Sequence, residues 1–150
     1  MRGRRVVADA SVVVKWVIPE RYSDEASRLR DDHLSGDIVV HAPDLILLEV
    51  ASALRKYATR GLIGRDQAEE ALLLISSAEI SLERIDSELA HRALKLSLDL
   101  GVTIYDAAYI ATALRLSAPL YTSDEKLLSN SKVRELGIVH HVRDYTARHV

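Results

Sequence analysis

The sequence contains no cysteine, and it carries no large excess of charge of either sign. The absence of cysteine excludes a disulfide framework, a zinc site with thiolate ligands and a thiol nucleophile, and it is compatible with a reducing compartment. Although 28% of the residues are charged, the formal net charge is only −2, which is untypical of a disordered polyelectrolyte or a strongly basic nucleic-acid binder. Any contact with a nucleic acid must therefore come from a local basic patch.

The sequence also lacks a long hydrophobic run. Segment 1–17 begins with basic residues and continues with apolar ones, as a secretion signal does, but Asp9 and Lys15 interrupt the apolar part. No stretch approaches the roughly 18 apolar residues that indicate a membrane-spanning helix. We therefore expect no secretion signal, no contact with a membrane and a cytoplasmic location.

The composition and the order of the apolar segments predict a single α/β domain. A chain of 150 residues, 48% of them hydrophobic, is the size of one domain with one core, which we place at 1–150. Short apolar runs, typical of strands buried on both faces, occur at 5–8, 38–40, 79–82, 119–121 and 138–140. Helical patterns lie between them at 12–17 (with Ser11 as N-cap), 23–35, 43 or 44 to 59, 65–77, 86–100, 106–116 and 124–136. This alternation favours right-handed crossovers and a three-layer α/β/α sandwich around a mainly parallel sheet of about five strands.

Four acidic residues lie at, or within reach of, the carboxyl ends of these strands, where open parallel sheets bind their ligands. Asp9 ends the first strand, and Asp124 follows the fourth after a gap of two residues. Asp106 begins a helix, and Glu49 lies within a helix that is otherwise apolar nearly all round. A single acidic site accounts for all four residues together.

Each acidic residue also has a purely structural interpretation. Asp9, Asp106 and Asp124 are of a residue type that caps helices or favours their first turn. Glu49 is harder to explain in this way, because an ionised carboxylate in an apolar helix is costly unless a cation pairs with it. The structural interpretations therefore remain open for the three aspartates and are weakest for Glu49.

Carboxylate ligands without histidine or cysteine are typical of a site for a hard cation, Mg²⁺ or Mn²⁺. Such a cation lowers the pKa of a bound water and offsets the charge of a phosphoryl transition state. Without the cation, repulsion should raise the pKa of at least one carboxylate, while the helix N-termini at Asp106 and Asp124 should favour the ionised form of those two. The acids therefore predict metal-assisted phosphoryl chemistry.

Four segments spread over nearly the whole chain carry a family pattern: VADASVVVKW at 7–16 with Pro19 and Glu20, LEVASAL at 48–54, YDAAYIA at 105–111 and YTSD at 121–124. In this order they resemble the PIN-domain ribonucleases, specifically the VapC toxins of bacterial and archaeal toxin–antitoxin pairs. The resemblance implies a metal-dependent endoribonuclease that hydrolyses RNA phosphodiester bonds. It also implies a homodimer and a cognate antitoxin whose C-terminal segment lies across the active site. The catalytic and metal-binding pocket that it implies consists of Asp9, Glu49, Asp106 and Asp124.

Other residues are candidates for supporting roles. The resemblance implies that hydroxyls of Ser11, Thr122 and Ser123 assist the acidic pocket. Candidate contacts to RNA phosphates, which need not read the base sequence, are Lys15, Arg55, Lys56 and Arg60. The alternatives are a solvated lysine and an ordinary basic helix end, because cations favour helix C-termini. The apolar surface of the helices over 44–59 and 68–75 suits a dimer contact, an antitoxin groove or simple burial.

Three other functions are compatible with these residues. A PIN-fold RNA-processing nuclease outside a toxin–antitoxin pair would use the same acidic site. A phosphatase would use Asp9 as a nucleophile, but Ser11 stands where that chemistry commonly needs a general acid. A non-enzymatic binding module would fold around its acids without cleaving RNA. The sequence leaves open which RNA is cut, which antitoxin binds and whether one or two metal ions are held.

Overall fold

A computed structural model describes residues 3–146 of the chain. The strands are β1 (Arg4–Ala8), β2 (Ile38–Pro43), β3 (Ser81–Glu83), β4 (Leu120–Thr122) and β5 (Val139–His141). The α-helices are α1 (Ala10–Val13), α2 (Ser23–Ser35), α3 (Ile46–Thr59), α4 (Arg65–Ser76), α5 (Ser87–Leu100), α6 (Ile104–Leu116), α7 (Glu125–Ser129) and α8 (Ser131–Glu135). Short 3₁₀ helices lie at Val14–Trp16 and Val142–Asp144. No helix within residues 3–146 combines the length and the apolar character that crossing a membrane requires.

The five strands pair in parallel, in the order β3-β2-β1-β4-β5. The chain builds outward from β1 through β2 to β3 on one side and then returns to place β4 and β5 on the other. Helices flank the sheet, so the predicted three-layer α/β/α sandwich is confirmed. The strand order reverses at β1, between β2 and β4, and such a switch point is where open α/β sheets bind ligands.

The core is built around β1 and α6. The last three residues of β1, Val6, Val7 and Ala8, are at most 1% exposed, as expected for a parallel strand that is covered on both faces. In α6, every residue from Ala107 to Ala113 is buried. Packing in the core therefore fixes the positions of the end of β1 and of the first turn of α6.

The predicted helix over 124–136 is wrong, because Asn130 divides it into α7 and α8. The Asn130 side chain accepts hydrogen bonds from the N–H groups of Lys132 and Val133 and so caps α8. Its amide also donates to the carbonyl of Leu100 at 2.8 Å. A capping residue that is tied to another part of the fold stops the first helix and starts the second.

The predicted starts of the first and third helices also differ from the structure. Ser11 is not the N-cap of the first helical turn; Asp9 is the N-cap, since its Oδ1 accepts the N–H of Val12. Helix α3 begins at Ile46, because β2 continues as far as Pro43 and the chain must turn before the helix can start.

Replacing Asn130 with alanine removes the cap of α8 and the hydrogen bond to Leu100 together. We expect the free energy of unfolding to fall by about 1–3 kcal/mol, as measured by chemical denaturation followed by circular dichroism. The matched control is Ser129→Ala, which removes an exposed hydroxyl bonded to the carbonyl of Lys126. A loss in Asn130→Ala no larger than that of the control would contradict the capping role.

Candidate active site

Asp9 is fixed at the carboxyl end of β1. Its backbone N–H donates to the carbonyl of Tyr121 in β4 at 3.2 Å, and the residue is only 7% exposed. Its Oδ1 accepts the hydroxyl of Ser11 at 2.6 Å and the N–H of Val12 at 3.3 Å. Asp9 therefore caps the first helical turn and also lies at the switch point of the sheet.

A chain of polar contacts leads from Asp9 to Asp124. The hydroxyl oxygen of Ser11 lies 3.4 Å from that of Thr122, and it accepts the backbone N–H of Ser123 at 2.9 Å. Thr122 Oγ1 in turn accepts the N–H of Asp124 at 3.1 Å. The structure thus places the hydroxyls of Ser11 and Thr122 between the two aspartates, whereas Ser123 contributes its backbone N–H to these contacts.

Asp106 and Asp124 both lie at helix starts, but only Asp124 is a cap. Its Oδ1 accepts the N–H groups of Lys126 and Leu127 at the start of α7. The N-cap of α6 is Thr103, whose hydroxyl accepts the N–H of Asp106 at 3.1 Å. The predicted helix start at Asp106 is therefore wrong, and capping does not explain its partly buried carboxylate.

Glu49 belongs to α3, and Tyr109 of α6 donates a hydrogen bond from its hydroxyl to Glu49 Oε1 at 2.6 Å. Burial and the charge of Glu49 raise the pKa of the Tyr109 phenol, so the phenol stays protonated and acts as a donor. The sequence interpretation missed Tyr109. The available signal was its position three residues after Asp106, which places the two side chains on one face of α6.

Burial is the main reason that the pKa of Asp9 is raised from its ordinary value of 3.8 to about 6. The hydrogen bonds from Ser11, Thr122 and Val12 oppose this rise, because they stabilise the ionised form. The negative charge of Asp106 adds to the rise. Burial thus outweighs the hydrogen bonds, and the ionised form of Asp9 is costly.

The other acids are coupled through Asp106. Burial raises the pKa of Asp106 and the charge of Asp124 raises it further, while a hydrogen bond with the Thr103 side chain opposes the rise. Burial also raises the pKa of Glu49; the hydrogen bond from Tyr109 opposes this rise, and the charge of Asp106 adds to it. Burial is the largest of these effects, so the pKa of Asp106 is raised although the residue lies in the first turn of α6. Repulsion between carboxylates is present, as expected, but it is a smaller effect than burial.

The structure therefore places Asp9, Glu49 and Asp124 each within electrostatic range of Asp106. We call Asp9, Glu49, Asp106 and Asp124 the acidic cluster. Within residues 3–146, lysine, arginine and histidine side chains form ion pairs only with other carboxylates. The acidic cluster thus has no basic partner in the described part of the chain.

A partly buried set of carboxylates without a counter-charge fits a hard divalent cation such as Mg²⁺. Across the same residues, 3–146, no three acidic or histidine side chains already converge into a group that encloses a metal ion. Mg²⁺ is commonly held in proteins by only one or two carboxylates, with water completing its coordination.

A cavity of about 540 Å³ extends from Glu49 along α3 to Arg60, and its lining also includes Ala10 and Lys56. Lys56 and Arg60 are exposed, and Arg55 is exposed on the same helix. Two of the predicted phosphate contacts thus share a cavity with one member of the acidic cluster. Their contact with RNA stays a prediction.

Lys15 lies in an internal network. Its Nζ forms an ion pair with Glu20 Oε1 at 2.9 Å, and its side chain is only 9% exposed. The hydroxyl of Tyr57 donates to the other carboxylate oxygen of Glu20. The alternative that Lys15 is a solvated lysine is therefore wrong, and a contact with a phosphate, which stays a prediction, would compete with Glu20.

Comparison with known proteins identifies the family. Residues 6–133 match the family model of the PIN domain. Ribonuclease VapC3 of Pyrobaculum aerophilum is 36% identical over 124 residues, which cover 82% of this chain and 92% of that protein. This chain therefore belongs to the PIN domain family. That the whole of 1–150 forms a single domain stays a prediction.

Solved structures share the fold. PAE2754 from Pyrobaculum aerophilum is similar with a TM-score of 0.65 and 22% identity, covering 95% of this chain and 93% of that chain. A chain of a toxin–antitoxin complex from Klebsiella pneumoniae is similar with a TM-score of 0.64 and 16% identity, covering 95% of this chain and 99% of that chain. At these identities the likeness concerns the fold, and it confirms the expected PIN-like architecture.

Replacing Asp9 with asparagine keeps an oxygen that accepts hydrogen bonds from Ser11 and Val12 but removes the buried charge. Because the pKa of Asp9 is raised to about 6, ionised Asp9 destabilises the fold above that pH, and this cost disappears as the pH falls toward the ordinary value. Without divalent metal, we expect Asp9→Asn to raise the free energy of unfolding by about 1–3 kcal/mol near pH 8, and by progressively less toward pH 4.

Urea denaturation at several pH values measures this effect. The control for simple loss of a charge is Asp37→Asn, because Asp37 is exposed. An Asp9→Asn variant that is no more stable than the parent near pH 8, or equally stabilised at both ends of the pH range, would contradict the burial of an ionised group.

Proposed function

We propose that this chain is a metal-dependent endoribonuclease of the VapC type, which hydrolyses RNA phosphodiester bonds with Mg²⁺ or Mn²⁺ as cofactor. The acidic cluster carries the proposal: partly buried, mutually coupled carboxylates lie at the switch point of a parallel sheet without a basic partner among residues 3–146. Membership of the PIN domain family and the 36% identity to a protein named Ribonuclease VapC3 support it.

In this proposal the acidic cluster supplies the metal ligands, and the surrounding contacts limit their motion. Asp9 is restrained by Ser11 and Val12, and Asp124 is restrained by the N–H groups at the start of α7. The hydroxyls of Ser11 and Thr122 link these two aspartates and set their relative orientation. Mg²⁺ or Mn²⁺, when bound, lowers the pKa of a water and offsets charge on the phosphoryl transition state.

The cavity along α3 is the proposed path of the RNA backbone. Because phosphates are repelled by carboxylates, RNA needs positive charge close to the acidic cluster, and the net charge of −2 provides none at long range. Lys56 and Arg60 line the cavity that begins at Glu49. Both can contact phosphates without reading the base sequence, and Arg55 is a third candidate on the same helix.

We also propose an antitoxin protein as a partner, a homodimer as the assembly and a cytoplasmic location. A toxin–antitoxin complex among the structures of the same fold supports the antitoxin. The leucines of α4 that face solvent support a protein contact: Leu73 is 68% exposed and Leu74 is 59% exposed. Leu74 also lines an apolar cavity of about 370 Å³ together with Trp16 and Leu34, which is a surface that a partner would cover.

The alternative functions have less support. A phosphatase with Asp9 as its nucleophile needs a general acid nearby. Ser11 occupies the second position after Asp9, and its hydroxyl donates a hydrogen bond to Asp9 Oδ1. A binding module without enzymatic activity leaves the uncompensated acidic cluster unexplained. An RNA-processing nuclease outside a toxin–antitoxin pair would share the chemistry, and the difference lies in the partner rather than in the site.

The activity is tested by incubating the purified chain, freed of any partner, with a mixed RNA pool and Mg²⁺ or Mn²⁺. We expect cleavage that EDTA abolishes and that Asp106→Asn reduces by at least about 100-fold, because Asp106 is coupled to each of the other acids. Asp99→Asn, at an exposed position on α5, is the control. The same fragments in the presence of EDTA, or full activity in Asp106→Asn, would refute metal-dependent catalysis at this site.

The RNA path is tested by replacing Lys56 and Arg60 with alanine in the inactive Asp106→Asn background. We expect RNA affinity to fall, and the slope of log affinity against log salt to decrease by about 2, because each residue neutralises one phosphate. Fluorescence anisotropy across a salt series measures both. The control pair is Arg92 and Lys95, which are exposed on α5. If replacing either pair lowered RNA affinity equally, the cavity along α3 would not be the path of the RNA.

A further inference from the structure

Tyr109 joins the hydrophobic core to the acidic cluster. The residue is 3% exposed and packs in the main core, so its ring position is set by its neighbours. At the polar end of the ring, the hydroxyl donates to Glu49 Oε1 at 2.6 Å. Helix α6 thus presents two groups from one face, the carboxylate of Asp106 and, three residues later, the hydroxyl of Tyr109.

The contact with Tyr109 restrains a side chain that has no other hydrogen-bond partner in the described part of the chain. Within residues 3–146, Tyr109 is the one hydrogen-bond partner of the Glu49 carboxylate, and no basic side chain forms an ion pair with it. A glutamate on a helix has several side-chain rotamers, and an unrestrained carboxylate would sample more than one position. The hydrogen bond from a buried, rigid ring selects one of them.

A phenol suits this task better than a basic residue does. Because the hydroxyl is neutral, it restrains Glu49 without cancelling the negative charge that a cation requires. An arginine or lysine in the same place would compete with the cation for the carboxylate. The hydrogen bond engages Oε1, and Oε2 has no hydrogen-bond partner among the described residues.

We propose that Tyr109 is a positioning residue that holds Glu49 through Oε1 and so prearranges its carboxylate for a divalent cation. This inference rests on the proposed function, in which Glu49 is a metal ligand. Groups that hydrogen-bond to metal ligands fix the orientation of those ligands, and their removal lowers metal affinity by about 10–100-fold.

Tyr109→Phe tests the inference, because it removes one oxygen and keeps the ring. Titration calorimetry of Mn²⁺ into the purified full chain, without RNA, should show an affinity about 10–100-fold weaker than that of the parent. The matched control is Tyr145→Phe: Tyr145 is also 3% exposed, and its hydroxyl donates to another carboxylate, that of Asp32. The control should bind Mn²⁺ as the parent does.

A double variant shows whether Tyr109 acts through Glu49. Glu49→Gln should itself weaken Mn²⁺ binding, and adding Tyr109→Phe to it should produce no further loss. In the RNA cleavage assay, raising the Mn²⁺ concentration should restore the rate of Tyr109→Phe toward that of the parent. If Tyr109 had only a structural role, Tyr109→Phe would lower the Mn²⁺ affinity of Glu49→Gln further, and added Mn²⁺ would not restore the rate of RNA cleavage.

The outcomes separate this inference from the proposed function. If Glu49→Gln weakens Mn²⁺ binding but Tyr109→Phe does not, the positioning role is overturned and the proposed function stands. If the parent chain binds no Mn²⁺, both are overturned. Should Tyr109→Phe fail to fold, NMR of the parent chain decides: the hydroxyl proton of Tyr109 must stay protected from exchange when Mg²⁺ saturates the protein, and loss of that protection overturns the inference.

Discussion

Carboxylates that are buried beside one another without a counter-charge cost free energy, and the candidate site depends on how this chain tolerates that cost. The ionised form of Asp9 is disfavoured by burial, although three hydrogen bonds stabilise it. The charge of Asp106 adds to the cost of ionising Asp9 and Glu49, and the charge of Asp124 adds to that of ionising Asp106. A salt bridge would relieve it but would also occupy the carboxylate oxygens. In the proposed function a divalent cation offsets the charge of these carboxylates. The same acids are then needed both to bind the cation and for catalysis.

Rigid elements make such an arrangement possible. The last three residues of β1 and the stretch 107–113 of α6 are buried, and Asp9 and Asp106 lie directly next to these buried stretches. Packing therefore fixes the backbone, while hydroxyls rather than basic groups orient the acids: Ser11 donates to Asp9 and Tyr109 donates to Glu49. Neutral donors hold a carboxylate in place and leave its charge intact. In the proposed function the positive charge needed for RNA lies further along α3, at Lys56 and Arg60, where it can attract phosphates without neutralising the acids.

The strands could be predicted from the sequence, because buried parallel strands are continuous apolar runs, and Asp9 and Asp124 could be located from the strands that they follow. Contacts between distant segments could not be predicted. Asn130 divides a helix through a cap and through its bond to Leu100, and Lys15 is paired with Glu20 inside the fold. Tyr109 has the spacing of an ordinary core residue, and only its hydroxyl, which reaches a helix far away in the sequence, gives it a different role.

The most direct test of the central claim, that four separate parts of the chain form one cation site, is anomalous diffraction from crystals of the parent chain soaked in Mn²⁺. We predict an anomalous peak at the carboxyl end of β1, within about 2.5 Å of carboxylate oxygens from Asp9 and from at least one other member of the acidic cluster. No peak at this position, or Mn²⁺ bound only to isolated carboxylates elsewhere on the surface, would contradict the claim.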